Sequence, residues 1–269
     1  MIPASFDYRK ASSVAEAIQL LQEHGDEAKL LSGGHSLIPA MKLRMNRPGI
    51  LIDIGGIAAL KDIKEEGDHI VIGANCTHKQ VMNSDLVKRE AGVVAQAAAC
   101  IGDVQVKNRG TIGGSVAHAD PAADYPAALI AAGATINVAG KNGNRSIPVE
   151  DFFQGMFYTA LEADEIILSI SVPKGSNGSY MKFPQPASRF ALVGVAVVKN
   201  GGAVRIGVTG AADTPYRAKE AEAQYADKGT GAAEYVVAGG VEMMEDHHAT
   251  AAYRAQLAKV MAKRALERV

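Results

Sequence analysis

The sequence predicts an α+β protein with two lobes and a C-terminal domain, and three observations lead to that prediction. Helical apolar periodicity and short β-branched runs alternate along the first part of the chain. Polar turns that contain glycine join pairs of strand-like runs, as in hairpins. A polar, glycine-rich stretch at residues 174–179 then precedes two more strand-like runs and a long helical pattern. We therefore expect lobes at residues 1–56 and 57–173 and a separate domain at residues 178–269.

The first lobe is predicted to be a small α/β unit. Ser13 begins a capping-box pattern, and apolar residues then recur at helical spacing until Gly25, which is typical of a helix C-terminus. Residues 29–31 form a short apolar strand, and residues 37–43 form a helix with proline in its first turn. Residues 50–54 are a second β-branched run. The glycines between the first strand and its helix therefore lie where open α/β sheets bind ligands.

The second lobe combines hairpin signals with apolar helices. A turn near residues 66–68 joins two strand-like runs, and Thr77 can cap a helix after them. Residues 92–101 are apolar and alanine-rich, which indicates a buried helix. A further helix is predicted at residues 125–132, and a closing strand at residues 166–172. The polar stretch that follows is expected to be a linker.

The C-terminal domain is predicted to contain an antiparallel sheet and helices. Residues 192–198 and 203–208 are strand-like runs on either side of a turn with two glycines. Residues 249–269 have an apolar helical face and end with arginine and lysine, which are favoured at a helix C-terminus. We expect the chain between these regions to be helical as well.

Composition and charge exclude several classes of function. The formal net charge is -1 and the isoelectric point is about 6.7, so no basic surface field favours nucleic acid. No apolar run reaches the roughly 18 residues of a membrane span, and the first residues lack a signal-peptide pattern, so we expect a cytoplasmic protein. Cys76 and Cys100 lack metal-ligand spacing. We expect them to be small buried side chains, with no metal site or iron–sulfur cluster in this chain.

Two segments with paired glycines carry the functional argument. The first glycine segment is Ser32-Gly33-Gly34-His35-Ser36-Leu37, and the second is Thr111-Ile112-Gly113-Gly114-Ser115. Glycine lets a ligand come close to the backbone, so that successive N–H groups converge on one anion. One such pair alone is most simply a tight turn. Two pairs in similar settings favour two segments that bind one pyrophosphate from opposite sides, and hence a dinucleotide between the lobes.

The sequence shows little sign of catalytic side chains of its own. It has no Gly-x-Ser-x-Gly elbow, no Walker A signature and no His-Glu-x-x-His motif. A redox cofactor that brings its own reactivity is consistent with this pattern. We therefore expect a cofactor carrier with no catalytic residue.

Both glycine segments resemble the flavin-pyrophosphate motifs of the FAD-binding medium subunit of the molybdenum hydroxylases, the family of xanthine dehydrogenase and aerobic carbon monoxide dehydrogenase. The similarity covers nearly the whole chain. Its further motifs are at residues 3–8, 105–110, 118–124, 165–170 and 180–182.

This resemblance implies an FAD-binding fold of the vanillyl-alcohol-oxidase and p-cresol-methylhydroxylase type. FAD would lie between the two α+β lobes, and a C-terminal α+β domain would follow. The resemblance also implies electron transfer within a complex. An iron–sulfur small subunit would hold two [2Fe–2S] clusters, a large subunit would hold the molybdenum cofactor (molybdopterin), and FAD would pass electrons to an external acceptor. The assembly would be a heterohexamer of two three-chain units.

The resemblance assigns most cofactor contacts to the two glycine segments. Backbone N–H groups of the first would wrap the adenine-side phosphate and the ribityl region, and the second would close on the pyrophosphate, with the Thr111 and Ser115 hydroxyls as additional donors. The residues concerned are Leu30, Leu31, Ser32, Gly33, Gly34, His35, Ser36, Leu37, Thr111, Ile112, Gly113, Gly114 and Ser115.

Single residues elsewhere match family positions, and each has a structural alternative. Asp124 would accept a hydrogen bond from a cofactor hydroxyl, or it caps the following helix. Lys182 would lie near the isoalloxazine, where a cation favours the anionic reduced ring, or it is an exposed strand lysine. Ile101 and Ile167 would pack on the flavin or adenine, or they belong to the core. His118, like His35 in the first glycine segment, would line the cofactor or order its loop.

One region departs from the family pattern. Arg189 replaces an acidic residue, and Phe190 occupies the position of a tyrosine that covers the flavin in carbon monoxide dehydrogenases. How the flavin face is gated is therefore open, as are the substrate of the complex and the acceptor.

Two other functions compete with this interpretation. One is a self-sufficient FAD-dependent oxidase or dehydrogenase of the same fold, and the other is a nucleotide-binding or assembly module without redox activity. Replacing Gly113 or Gly114 with valine should remove FAD while the fold survives.

Overall fold

A computed structural model describes the whole chain, residues 1–269, and confirms the mixed helix and sheet architecture. Each of the three regions has its own main sheet. The strands are β1 (Asp7–Lys10), β2 (Ala28–Leu31), β3 (Ile50–Asp53), β4 (Ile63–Glu66), β5 (His69–Gly73), β6 (Thr135–Gly140), β7 (Gly143–Pro148), β8 (Phe153–Gly155), β9 (Tyr158–Thr159), β10 (Ile166–Pro173), β11 (Gly178–Pro184), β12 (Ala191–Asn200), β13 (Ala203–Thr209) and β14 (Tyr216–Arg217). The α-helices are α1 (Val14–His24), α2 (Leu37–Lys42), α3 (His78–Asn83), α4 (Asp85–Glu90), α5 (Gly92–Cys100), α6 (Val104–Arg109), α7 (Ile112–His118), α8 (Tyr125–Ala132), α9 (Val149–Phe152), α10 (Lys219–Lys228) and α11 (Ala251–Leu266), and short 3-10 helices cover Gly25–Glu27, Ala58–Leu60 and Gly229–Tyr235.

The first region is a parallel sheet in the order β1-β3-β2, with α1 packed against it. Helix α1 begins as predicted, because the Ser13 hydroxyl accepts a hydrogen bond from Glu16 N at 3.1 Å. The reciprocal half of the capping box differs, since the Glu16 carboxylate accepts from Ser12 N at 2.7 Å and not from Ser13 N. Strand β2 ends at Leu31, so the first glycine segment begins at the carboxyl edge of the sheet.

The second region is an antiparallel sheet in the order β4-β5-β10-β6-β7. Helices α4 and α6 were not predicted, although the Ser84 and Asp103 side chains cap them as Thr77 caps α3. Helix α8 is buried along all eight residues. It packs against β10 and also against β12 and β13 of the C-terminal sheet, so it lies between the two regions. The backbones come very close at Gly207, where a Cβ would lie 2.1 Å from Ala127 O.

The predicted linker is packed against the second region. Ser176 is buried, and its N–H donates to Glu90 O at 3.0 Å. The Asn177 side chain accepts from Gly92 N and donates to Arg89 O. These three hydrogen bonds fix residues 176 and 177 against the junction of α4 and α5, so the stretch that links the second region to the C-terminal sheet is an ordered connection.

The C-terminal sheet is antiparallel in the order β11-β12-β13-β14, and α11 covers β11 and β12. The segment between residues 236 and 250 contains no helix, contrary to prediction. Buried Arg254 holds this segment in place, because its guanidinium donates to Leu192 O of β12, to Gly210 O just after β13 and to the Asp246 carboxylate, all at 2.7 Å. Cys76 is buried as expected, but Cys100 is exposed. No helix of the chain combines the length and the apolar character that crossing a bilayer requires.

Candidate cofactor site

A cavity of about 640 Å³ opens where the two glycine segments meet. This volume lies within the roughly 300–1,000 Å³ typical of small-molecule and cofactor sites. Of the predicted contact residues, only Ile112 and Lys182 do not line it. Those that do are Leu30, Leu31, Ser32, Gly33, Gly34, His35, Ser36, Leu37, Ile101, Thr111, Gly113, Gly114, Ser115, His118, Asp124, Ile167 and Phe190.

The first glycine segment presents unengaged backbone donors to the cavity. None of its six N–H groups, from residues 32 to 37, donates to another group of the chain. Gly34 has φ +76°, a left-handed conformation that glycine adopts without strain. Successive N–H groups in such a turn form a concave anion site. The segment therefore has the donors that a pyrophosphate needs.

Gly33 has a different role from Gly34, because it lets the two lobes touch. A Cβ at this position would lie 2.2 Å from Arg109 O and 2.9 Å from Gly110 Cα. Both atoms belong to the chain that leads into the second glycine segment. The absence of a side chain at Gly33 therefore sets how closely the two segments approach each other.

The second glycine segment is the start of helix α7 and not a loop before a helix. Thr111 is the N-cap, and its hydroxyl accepts from Gly114 N at 3.1 Å. Gly113 N donates to Ala74 O at 2.9 Å, and Ser115 N donates to Thr111 O at 3.0 Å. Ile112 N is engaged as well, with Cys76 O at 3.0 Å. The N–H groups of residues 112–115 are therefore all satisfied within the protein.

The two glycines of the second segment face different surroundings. A Cβ on Gly113 would lie 2.5 Å from Ala74 Cβ and 2.7 Å from Ala74 O, so Gly113 is required by packing. A Cβ on Gly114 would meet only the Thr111 hydroxyl, at 2.8 Å. Gly114 thus keeps the cavity wall open, and Gly113 fixes the helix on the strand end beneath it.

Asp124 lies at the N-terminus of α8 and lines the cavity, but its side chain does not cap the helix. Its carboxylate accepts from the Tyr180 hydroxyl at 2.5 Å and from Lys182 Nζ at 2.8 Å. Burial raises the pKa of Asp124, and the Lys182 cation and the Tyr180 hydroxyl oppose that rise. The carboxylate is therefore held in place by two groups of the C-terminal sheet.

Lys182 is not an exposed strand lysine, since its side chain is only 6% exposed. Its ammonium also donates to Cys100 O at 3.1 Å. The structure thus places this cation one residue behind the cavity wall, with Asp124 between it and the cavity. A buried pair of this kind is costly to break, because either partner would be left as an isolated buried charge.

The rim of the cavity contains aromatic and strained residues. The His118 and Phe157 rings are 5.0 Å apart, and Phe190 is 46% exposed. Phe157 and Arg189 have positive φ angles of 56° and 62°, which are unfavourable for residues with side chains. Arg189 and Phe190 were singled out from the sequence, whereas Phe157 was missed because no local pattern marks it.

Two buried polar residues of the site were also missed. Asn75 and His78 follow strand β5 and line the cavity. The His78 Nδ1 atom lies 3.2 Å from the Tyr125 hydroxyl, and burial lowers the pKa of His78 to about 4. Their position shortly after the end of a strand could have predicted them, because the same criterion located the first glycine segment.

Comparison with known proteins identifies the family. A model of the FAD binding domain in molybdopterin dehydrogenase matches residues 4–175, which is more than half of the chain. The chain belongs to this family. Residues 178–269 match the CO dehydrogenase flavoprotein C-terminal domain. The predicted membership among FAD-binding medium subunits is confirmed, and with it the prediction of FAD as the cofactor.

Individual relatives match this chain over nearly their full length. The chain is 40% identical to the carbon monoxide dehydrogenase medium chain of Hydrogenophaga pseudoflava, covering 99% of this chain and 97% of that one. It is 35% identical to the 6-hydroxypseudooxynicotine dehydrogenase complex subunit alpha of Paenarthrobacter nicotinovorans, covering 99% and 95%. A solved structure of the Hydrogenophaga pseudoflava carbon monoxide dehydrogenase that lacks the Mo-pyranopterin moiety matches with a TM-score of 0.94 at 42% identity, covering 99% of this chain and 98% of that one. The predicted fold class is confirmed, and the chain is an oxidoreductase component.

Proposed function

We propose that this chain is the FAD-carrying electron-transfer subunit of a molybdenum hydroxylase complex. It would take electrons from the [2Fe–2S] clusters of a small partner subunit and pass them to an external acceptor. The observation that carries the proposal is the first glycine segment, whose six backbone N–H groups have no partner in the protein and line a cavity of cofactor size. A bound FAD would supply the redox chemistry, because a flavin accepts and releases electrons singly or in pairs.

The residues of this chain would bind and orient the cofactor. The N–H groups of residues 32–37 would hold the pyrophosphate oxygens. From the second segment, the open wall at Gly114 would admit the cofactor, and the Ser115 hydroxyl would add a donor. A donor role for Thr111 requires that its contact with Ser32, at 3.1 Å, breaks.

Asp124 and the apolar wall would fix the rest of the molecule. The Asp124 carboxylate retains lone pairs beyond those used by Tyr180 and Lys182, so it would accept from a ribityl or ribose hydroxyl. Ile101 and Ile167 line the cavity and would pack on a ring of the cofactor. Phe190 at the rim would shield the bound cofactor from water.

The partners follow from the family and the names of the relatives. One relative is a medium chain and another is a subunit of a dehydrogenase complex. We therefore propose an iron–sulfur small subunit and a molybdenum-cofactor large subunit as partners, in a cytoplasmic heterohexamer of two three-chain units. Within this chain, FAD would lie between residues 1–56 and 57–173, and residues 178–269 would support Asp124 from behind.

The test is the order of reduction in the purified complex. We expect visible flavin absorption, and we expect substrate to reduce the flavin only when the iron–sulfur subunit is present. The chain purified alone and reconstituted with FAD should not be bleached by the organic substrate. Bleaching of that sample would favour a self-sufficient oxidase. A complex and a chain that both bind no added FAD would instead favour a non-redox module.

A further inference from the structure

A chain of side-chain hydrogen bonds crosses the floor of the cavity from one lobe to the other. Asn75, in the second lobe, is 5% exposed. Its Nδ2 atom donates to Ile54 O at 2.7 Å, and its Oδ1 atom accepts from the Ser32 hydroxyl at 2.6 Å. The Ser32 and Thr111 hydroxyls are 3.1 Å apart. All four residues line the cavity.

The donor and the acceptor of each hydrogen bond in this series follow from the chemistry of the groups. Ile54 O is a carbonyl and only accepts, so the nitrogen of the Asn75 amide must face it and the oxygen must face Ser32. The Ser32 hydrogen is therefore used on Asn75, and Thr111 must donate to Ser32. The Thr111 oxygen in turn accepts from Gly114 N. One continuous relay thus runs from Gly114 N through the Thr111 and Ser32 hydroxyls, which join the two glycine segments, to Asn75 and Ile54 O.

This relay is the main polar connection between the lobes. Apart from the Gln22 and Asp164 side chains, which are exposed and 3.5 Å apart, no other side-chain hydrogen bond joins residues 1–56 to residues 57–173. Ser32 and Ile54 each follow the last residue of a strand of the first lobe, whereas Thr111 is the N-cap of α7. Asn75 is thus bonded to both strand ends while it belongs to the other lobe.

We propose that Asn75 is a positioning residue for the cofactor, which sets the separation of the two glycine segments. It acts through Ser32 and Ile54, and the cofactor need not touch it. With the relay intact, the unengaged N–H groups of the first segment face the open wall at Gly114 at a fixed distance. The inference rests on the proposed function, since it assumes that FAD occupies this cavity.

The test compares Asn75→Leu and Asn75→Asp with a matched control in the same lobe. Asn75→Leu keeps the branching and the number of side-chain heavy atoms but removes both hydrogen bonds, so FAD affinity should fall about ten- to thirtyfold. Asn75→Asp still accepts from Ser32, but it donates to Ile54 O only when protonated. Its FAD affinity should therefore recover towards that of the wild type on acidification, while that of Asn75→Leu does not. Asn137→Leu is the control, because Asn137 bonds Ser169, Ser171 and Ser146 on the sheet and does not line the cavity.

The measurements are FAD titration by fluorescence, the flavin visible circular dichroism and the thermal midpoint of the FAD-free protein, on the full chain and on its co-purified complex. We expect Asn137→Leu to lower the midpoint without changing FAD affinity. The inference is overturned if Asn75→Leu binds FAD as the wild type does, or if both leucine variants lose affinity in proportion to their midpoints. Wild-type protein that binds no FAD would instead overturn the proposed function.

If Asn75→Leu does not fold, Ser32→Ala tests the same relay from its other side. That variant should also weaken FAD binding about tenfold, since it removes the hydrogen bonds of Ser32 with Asn75 and Thr111 and leaves the Asn75 oxygen without a donor. In a foldable background, the Ser32→Ala/Asn75→Leu double variant should be no weaker than the worse single variant. Additive losses would mean that the two residues act independently, which contradicts a common relay.

Discussion

The two glycine segments look alike in sequence but differ in almost every structural respect. In the first, six N–H groups have no partner, and Gly34 adopts a left-handed conformation. In the second, the N–H groups of residues 112–115 all have acceptors within the protein, because the segment is the first turn of α7. The first segment therefore supplies backbone donors for a ligand, whereas the second segment forms part of the cavity wall.

The difference shows that a glycine pair does not have a single meaning. Each segment contains one glycine that is required by backbone contact, Gly33 against Arg109 and Gly113 against Ala74. Each also contains one glycine at the ligand side, where Gly34 allows a turn and Gly114 leaves space. One glycine in each pair therefore belongs to the architecture and the other belongs to the site.

Gly33→Ala should have a large effect on both stability and flavin binding, and it tests whether the lobes touch through this residue. A Cβ 2.2 Å from Arg109 O would force the segments apart, and overpacking of this kind should cost about 3 kcal/mol of folding free energy. Bound flavin should be lost as well. Urea denaturation and flavin content measure the two effects. Gly202→Ala is the control, because no atom lies within 4 Å of a Cβ there. Equal stability of the two variants would contradict the contact.

Gly114→Val should separate binding from folding, which neither glycine of the first segment allows. The valine side chain would project where only the Thr111 hydroxyl is near, so stability should change by less than about 1 kcal/mol, the worth of the N-cap. FAD affinity should fall on the order of a hundredfold, or about 2.7 kcal/mol. Titration with FAD and a denaturation curve are sufficient measurements.

Gly113→Val is the matched comparison, because the sequence alone treats the two glycines as equivalent. The structure predicts that Gly113→Val unfolds, since its Cβ would lie 2.7 Å from Ala74 O. The expectation that either substitution leaves the fold intact therefore applies to Gly114 only. Gly114→Val protein that keeps its full flavin content would show that the second segment is not part of the site.

Local patterns in the sequence were sufficient for much of the fold. Ser13 caps helix α1 and Thr77 caps helix α3, and both starts could be predicted because a capping hydroxyl is a signal within four residues. Helix α11 was visible through its apolar face. The fold of the second glycine segment was not visible, because glycine is an unfavourable helix residue and two in succession indicate a loop.

The missed features depend on contacts between residues that are distant in the chain. The stretch at residues 174–177 has the composition of a linker, yet Asn177 binds residues more than 80 positions earlier. Asn75 is a single polar residue between apolar ones, and its partners Ser32 and Ile54 belong to the other lobe. The family resemblance located the site, but which N–H groups are unengaged depends on the folded backbone.

The smallest expected effect is a pH dependence of folding stability that originates beneath the second segment. His78 lies beneath it, where His78 N donates to Gly110 O at 2.9 Å. Burial lowers the pKa of His78 from 6.5 to about 4, so the folded state prefers the neutral ring. The unfolded chain binds the proton more readily between these values, so this stability is present above pH 6.5 and is lost as the pH falls towards 4. Lowering the pH from 7 to 5 should cost about 2 kcal/mol.

His78→Gln should remove this dependence, because glutamine does not titrate. Urea denaturation at pH 7 and pH 5 should show a smaller loss of stability in the variant than in the wild type. Hydrogen exchange, corrected for intrinsic rates, then distinguishes the two segments. Amides of residues 112–115 should be protected at pH 7 and lose protection at pH 5 in the wild type only, since their acceptors lie in the structure that His78 supports. Amides of residues 32–37 have no acceptor to lose, so in the FAD-free protein they should exchange rapidly at both pH values. Protection of the first segment in that state would contradict the difference between the two segments.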